Sequence, residues 1–231
     1  MEKEKITEFT LDPQRIQEDK DWARLFDYKM QKELLRHCVY SISLNDQAHN
    51  LGHCWDVCSL GKSICDELGV DDRTRMLVYA GTLLHDIGCR YERKFHHLIG
   101  YGLVYELVGR YWPGEFSDEE LLIIATAVLE HRSSNESKPS NFVSSIVSVA
   151  DSGAPDFNKY VKRAIQFRLK MNLGEDVLIE EVYKHLIEKF GVDGYHWKSY
   201  PDIGMELFKT EWDSFSSLLY DEQFTMGCIK T

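Results

Sequence analysis

Residues 76–88 read MLVYAGTLLHDIG, a run of apolar residues that ends in His85 and Asp86 just before Gly88. A helix that is apolar on nearly every side is a buried helix, so this one carries an imidazole and a carboxylate into the protein interior. Burying such polar groups costs free energy unless they are paired or coordinate a metal ion. On the last helical turn both side chains can converge on one ion that lies off the helix end. The stretch therefore predicts a buried helix that leads into a metal site.

Other side chains able to bind a metal stand at the ends or on the inner faces of further predicted helices. His53 begins an apolar helical stripe, His131 ends another, and Asp151 closes the apolar run 142–150. Helical periodicity places all three on core-facing sides. Taken singly, a buried core histidine or a helix-capping Asp is the more frequent explanation. An ordered set of such residues, each beside an apolar helical run, favours a metal pocket instead.

The order and context of these residues resemble the HD-domain metal-dependent phosphohydrolase superfamily. The pattern of that family is a His, then a His-Asp doublet at the end of an apolar helix, then a distal Asp. It is matched here by His53, by His85-Asp86 and by Asp151. The resemblance implies an all-α fold, an HD-domain helical bundle with a C-terminal helical extension, in which these four residues ligate one metal ion.

Many members of that superfamily hold a second metal through two further histidines between the doublet and the last Asp. His131 matches the later of these positions. For the earlier one, the usual spacing of a His four residues before a Gly selects His96 relative to Gly100, which leaves His97 as a neighbour that either supports the ligands or faces the substrate. Helical periodicity does not decide between His96 and His97. The resemblance thus implies six metal ligands, with His85 and Asp86 also catalytic: His53, His85, Asp86, His96, His131 and Asp151.

The chemistry of these ligands is compatible with several metals. All are nitrogen or oxygen donors, which suits Mn, Fe, Mg, Co or Zn and does not select among them. One or two such ions activate water and neutralise charge on a phosphoryl oxygen, so no protein nucleophile is required. Consistently, the sequence has no Gly-x-Ser-x-Gly elbow, phosphate-binding P-loop or Rossmann glycine pattern.

Cationic side chains follow the doublet and the later histidine, as a phosphate substrate requires. The guanidinium group suits bidentate binding of phosphate oxygens. The alternative is that these charges are solvated and only keep a helix end soluble. We predict five substrate-binding residues in this group, including one histidine: Arg90, Arg93, Lys94, His97 and Arg132.

Three hypotheses about function follow from the resemblance. The favoured one is metal-dependent hydrolysis of a small phosphate ester, either a monoester or a diester, such as a nucleotide or a related metabolite. The second is an HD-type diiron oxygenase, because some HD-domain proteins use the same six ligands to bind O₂. The third is a non-catalytic module that binds a metal or a ligand. The sequence leaves the identity of the substrate open.

The composition restricts the classes of partner and the cellular compartment that we expect for this protein. The chain has 231 residues, 43% of them hydrophobic, and a formal net charge of -11, which argues against general binding of nucleic acid or membrane surfaces. It contains no apolar run of 18 residues and no signal-like beginning, so we expect a soluble cytoplasmic protein. The six cysteines are expected to be free thiols, as in a reducing compartment. The expected partner is a small-molecule phosphate substrate, and a homodimer is left as an open alternative.

No segment shows the sustained alternation of a half-buried strand, so helices are predicted throughout. We expect a single all-helical domain over 1–231, with the HD core at about 30–155 and a helical appendage at about 156–231 that covers the core or walls the pocket. The first residues, Met1–Ile6, are expected to be frayed. The loop 133–140 beside His131 is either a mobile lid or a plain surface connection. The predicted helices lie near 13–24, 27–44, 53–68, 71–87, 96–112, 118–131, 140–151, 156–172, 175–190 and 201–219.

Overall fold

The computed structural model describes residues 13–135 and 137–230, with side chains from residue 19 onward. These residues form helices joined by short connections, and no strand occurs among them, which confirms the all-α prediction. The expected fraying of Met1–Ile6 concerns residues outside this description. A 3-10 turn, Ile87–Arg90, separates α4 from α5. In chain order the helices are α1 (Pro13–Leu25), α2 (Lys32–Ile42), α3 (Leu51–Glu67), α4 (Asp72–Leu84), α5 (His96–Tyr111), α6 (Asp118–Glu130), α7 (Phe142–Ser152), α8 (Phe157–Leu169), α9 (Glu175–Phe190), α10 (His196–Ser199), α11 (Asp202–Leu207), α12 (Lys209–Tyr220) and α13 (Glu222–Lys230).

Two of the predicted helices were wrong in their extent. The helix predicted over 27–44 begins only at Lys32, because Asp27 and Tyr28 have positive φ angles of 53° and 59°, which a right-handed helix excludes. The helix predicted over 201–219 is two helices, α11 and α12, since the backbone leaves the helical conformation at Phe208 (φ -113°, ψ 30°). Helix α13 follows and was not predicted.

Helix α4 is the centre of the main apolar core. All nine residues from Met76 to Leu84 are buried, which confirms the prediction of a buried helix. Helices α3, α6 and α7 pack against it. The contact with α7 is close because Gly81 has no side chain: a Cβ atom at this position would lie 2.9 Å from Cγ2 of Val147. The three helices that carry His53, the doublet and Asp151 are therefore held against one another.

A second apolar cluster lies in the C-terminal helices. Its buried members run from Phe157 to Ile229, whereas those of the main core run from Trp22 to Ala150. The two regions meet where α11 packs against α7, at a point where a Cβ atom on Gly204 would lie 2.7 Å from Cγ2 of Val149. The C-terminal helices are thus seated beside the end of α7, the helix on which Asp151 stands.

Two expectations from composition concern the state of the cysteines and the presence of membrane-spanning segments. No disulfide joins any of the described cysteines, as predicted: Cys38, Cys54, Cys58 and Cys65 are buried, and Cys89 and Cys228 are partly exposed. Within the described part of the chain, no helix combines the length and the apolarity needed to cross a membrane.

Candidate metal centre

The end of α4 brings the two members of the doublet onto one side. The α-helix ends at Leu84, and Asp86 leaves the helical conformation (φ -104°, ψ 11°) before the 3-10 turn begins. Two adjacent side chains on a regular helix would point about 100° apart. Here the His85 Nε2 atom lies 3.2 Å from Oδ2 of Asp86 instead. Both residues are almost fully buried, at 0% and 1% exposure.

A first group of candidate ligands forms around Oδ2 of Asp86. Helix α3 starts at Leu51, and its cap Asn50 accepts a hydrogen bond from the backbone N–H of His53. The His53 Nε2 atom lies 3.5 Å from Oδ2 of Asp86, 3.3 Å from Nε2 of His85 and 3.1 Å from Oδ1 of Asp151, the last on the final turn of α7. One imidazole from α3 and one carboxylate from α7 thus join the doublet.

A second group forms around the other oxygen of Asp86. Its Oδ1 atom lies 3.3 Å from Nε2 of His96, at the start of α5, and 3.6 Å from Nε2 of His131, just after α6. The two Nε2 atoms are 3.1 Å apart. His97 lies elsewhere, where its Nδ1 atom accepts a hydrogen bond from Nη1 of Arg132 (3.2 Å). The carboxylate of Asp86 therefore presents one oxygen to each group.

Three of the histidines are oriented by their own backbone. In each, the Nδ1 atom donates a hydrogen bond to the carbonyl oxygen three residues earlier. Because a carbonyl oxygen only accepts, Nδ1 carries the proton, and in the neutral imidazole Nε2 keeps its lone pair. Hydrogen bonds of this kind orient metal-binding histidines. The bonds are His85 to Thr82 (2.7 Å), His96 to Arg93 (2.6 Å) and His131 to Val128 (2.7 Å).

This arrangement requires a positive charge at its centre. Lone pairs on Nε2 of His96 and His131 face each other and an anionic oxygen, so without a cation the three acceptors repel one another. Oδ2 of Asp86 is fully buried and has no hydrogen-bond partner among the described residues, a state that costs free energy. A divalent cation bound by nitrogen and oxygen donors would satisfy all of these atoms. The residues therefore fit a metal ion, and either group could hold one.

In the metal-free protein a proton can supply part of this charge. Burial alone would lower the pKa of His85, but the carboxylates of Asp86 and Asp151 raise it to about 10. The pKa of Asp86 is held far below its usual range despite burial, because the charged form interacts with His85 and His131. Burial lowers the pKa of His96 to about 4, so this imidazole stays neutral. In the first group, His85 thus holds a proton when no metal is present.

We expect metal binding to displace that proton from His85 and therefore to tighten as the pH rises. A ligating imidazole must be deprotonated at Nε2, so below the His85 pKa of about 10 the affinity for Mn²⁺ should rise about tenfold per pH unit. Calorimetric titration of the metal-free protein in two buffers of different ionisation enthalpy would count the protons released. An affinity that is independent of pH between about 6 and 8, with no proton release, would contradict this expectation.

The two groups lie at the base of a cavity of about 520 Å³. Of the predicted substrate-binding residues, Arg93 and Arg132 line it, whereas Arg90 and Lys94 are not part of its wall. His97 is half-buried outside the wall and contacts Arg132 instead. The cavity thus joins both candidate metal groups to two of the four cations expected near the doublet.

Among the described residues of the loop 133–140, only the first ones line the cavity. Ser133 and Ser134 line the cavity. The loop is connected to the C-terminal helices, because the Ser199 hydroxyl donates a hydrogen bond to the carbonyl oxygen of Ser133 (3.0 Å). Glu136 lies outside the described residues, and the lid interpretation of this loop stays a prediction.

Sequence reasoning missed several residues of the cavity wall. Five come from the C-terminal helices, three of them from α8. The i, i+4 spacing of Lys159 and Arg163 could have shown only a shared face, because an exposed basic face has the same pattern. Cys89 was also missed as a neighbour of the centre, where its thiol donates to Oδ1 of Asp86 (3.5 Å) and has a raised pKa because of burial and the Asp86 charge. The five wall residues are Lys159, Tyr160, Arg163, Lys189 and His196.

Comparison with known proteins agrees with the geometry of the centre. Residues 50–156 match the family model described as HD domain. No curated protein and no solved structure was found to match the chain. The matched segment begins at the cap of α3 and ends just after α7, so it contains every candidate ligand. Residues 50–156 thus form an HD domain, which supports membership of the HD-domain superfamily.

Proposed function

We propose that this HD-domain protein hydrolyses a small phosphate ester, such as a nucleotide or a related metabolite, with water activated by one or two divalent metal ions. One observation carries the proposal. The buried carboxylate of Asp86 offers one oxygen to each of two histidine groups at the base of a cavity lined by cations. The cations can bind the anionic ester, and the two histidine groups can hold the metal ions beside it.

The proposed ligands divide into two groups that share Asp86. When bound, a divalent cation lowers the pKa of water and neutralises charge on a phosphoryl oxygen. The nitrogen and oxygen donors suit Mn, Fe, Mg, Co or Zn equally. The first ion would be held by His53, His85, Asp86 and Asp151, and the second by Asp86, His96 and His131.

The chain itself supplies orientation and a low-dielectric surrounding. Hydrogen bonds from Nδ1 to backbone carbonyls hold the imidazoles in place before any ligand arrives. Because His85 and Asp86 are buried, their interactions with charge are stronger than they would be in water. The site is therefore preorganised, which is the main source of electrostatic stabilisation of a transition state.

Arg132 and Arg93 are proposed to bind oxygens of the phosphate that is hydrolysed. The Nη1 atom of Arg132 is positioned by His97 and by the carbonyl oxygen of Lys94 (3.4 Å), and Arg132 lines the cavity. Arg93 also lines the cavity, and its Nε atom lies 3.5 Å from a carboxylate oxygen of Asp46. No cavity contact supports the predicted roles of Arg90 and Lys94.

Metal analysis and a substrate panel test this function. Protein purified without added metal would be analysed for bound ions, then loaded with Mn, Fe, Mg or Co and assayed on nitrophenyl phosphate, its diester and a series of nucleotides. We expect turnover, and a fall of about 10²-fold in kcat/KM for Arg132→Gln because a contact to developing charge is lost. Arg110→Gln is the matched control, since Arg110 is exposed at the far end of α5 and pairs with Glu106.

Other results of the same assay would replace the proposal. If no phosphate ester is hydrolysed while the iron-loaded protein consumes O₂ with an organic substrate, the oxygenase hypothesis is preferred. If neither reaction occurs although metal binds, the chain is better described as a binding module.

A further inference from the structure

Three of the cations that line the cavity are not used by the proposed hydrolysis. Lys159 and Arg163 stand four residues apart on α8 and therefore share one helical face. Lys189 comes from the last turn of α9. All three line the same cavity as His53 and Asp86. The C-terminal helices thus contribute three cations to the cavity that also contains the candidate ligands.

These cations have no acidic partner among the described residues. Several cations elsewhere in this protein do have one, for example Lys62 with Asp27 and Arg73 with Glu120. The Nζ atom of Lys189 instead lies over the rings of Tyr160 and Phe190, at 5.4 Å and 5.0 Å from their centroids. Burial and the nearby charge of Arg163 lower the pKa of Lys189. The three charges repel one another, so an anion bound between them would be stabilised.

His196 gives a second and independent indication of a ligand at this wall. It lines the cavity and is only 1% exposed, yet neither of its ring nitrogens has a hydrogen-bond partner among the described residues. Its neighbours are aromatic rings, including those of Tyr200 and Trp212, with centroids 4.8 Å and 5.3 Å away. Burial, with the charge of Lys189, keeps this imidazole neutral. A buried polar group left without a partner calls for a ligand group to fill that role.

We propose that Lys159, Arg163 and Lys189 form a second anion subsite, so that the substrate carries a further phosphate besides the one that is hydrolysed. A nucleoside bisphosphate or polyphosphate has this chemistry. His196 supplies a neutral hydrogen bond to the same part of the substrate. The inference rests on the proposed phosphohydrolase function, and it assigns the recognition of substrate to the C-terminal helices, outside the matched HD domain.

The charge of the whole cavity agrees with a substrate of high negative charge. Five cations line it, because Arg93 and Arg132 add to the three of the subsite, against the two carboxylates of Asp86 and Asp151. Any divalent ion at the centre increases this excess of positive charge. A monoester with a single phosphate would leave much of this positive charge without a counter-charge. The excess is confined to the cavity, because the whole chain has a net charge of -11.

A binding experiment tests the subsite without relying on turnover. Inorganic tripolyphosphate and inorganic phosphate would be titrated calorimetrically into protein freed of metal on a chelating resin. We expect tripolyphosphate to bind more tightly, and its Kd to rise about tenfold or more in Arg163→Gln and in Lys189→Gln, since each loses a charge-assisted contact. Lys162→Gln is the matched control, because Lys162 is on α8 but lines a different groove.

The outcomes separate this inference from the proposed function. Equal affinity for the two anions, or unchanged tripolyphosphate binding in folded Arg163→Gln and Lys189→Gln, overturns the subsite even if phosphate esters are hydrolysed. Binding that depends on these residues, in a protein that hydrolyses no ester, supports the subsite and contradicts the function. Lys189 packs on two aromatic rings, so if its variant does not fold, Lys159→Gln takes its place in the same comparison.

Discussion

Asp86→Ala should bind neither metal ion and should lose at least about 10³-fold in kcat, because Asp86 is the candidate ligand that both groups share, with one oxygen facing each. His131→Ala should behave differently. It removes one imidazole from the second group and leaves His53, His85 and Asp151 in place, so it should retain the first ion and lose the second. The two variants together therefore measure whether Asp86 bridges the groups.

Metal stoichiometry after loading with Mn or Fe gives the measurement, with kcat on the best ester of the panel beside it. Anomalous scattering from crystals would add the positions, with two peaks roughly 3.5 to 4 Å apart expected in the unmodified protein. His185→Ala is the control, because this histidine is half-buried on α9 beside Tyr195, outside the cavity wall. Full stoichiometry in Asp86→Ala would refute the assignment of this residue.

Gly88→Ala should destabilise the protein and separate the doublet from α5. A Cβ atom on Gly88 would lie 2.2 Å from the backbone carbonyl oxygen of His96 and 3.0 Å from the backbone nitrogen of Gly100. Backbone atoms cannot rotate away as a side chain can, so the start of α5 must move. We expect the free energy of unfolding to fall by about 2–3 kcal/mol. The second ion should be lost as well, because His96 stands where α5 would shift.

Gly109→Ala is the matched control for this variant. Gly109 also lies in α5, and a Cβ atom there meets nothing within 4 Å. Alanine should leave stability unchanged or raise it by up to about 1 kcal/mol through its higher helix propensity. Chemical denaturation and metal stoichiometry would be measured for both variants. An unchanged unfolding free energy with two bound ions in Gly88→Ala would show that the turn after α4 can relax without cost.

The sequence alone was sufficient for the fold class and for much of the centre. An apolar run with no polar face indicates a buried segment, the lack of period-two alternation elsewhere favoured helices, and all nine residues 76–84 are buried in a helix. A histidine or an aspartate on the same helical face as a row of apolar residues must face the core, as those residues do. For that reason His53, His131 and Asp151, read from periodicity as facing inward, do lie around the doublet. The spacing of apolar residues within one helix shows which face of that helix is buried, so these features can be read from each helix by itself.

Only the tertiary structure showed that His96, and not His97, lies beside Asp86, because both share a face with apolar residues of α5 and the two side chains differ by about 100° around the helix. It also decided which cations reach the cavity. Arg90 and Lys94 are near the doublet in sequence and do not line it, whereas Lys159, Arg163 and Lys189 are far away and do. The pattern of a segment shows which of its faces is buried. Which other segment covers that face depends on contacts between distant parts of the chain, here the seating of the C-terminal helices on α7.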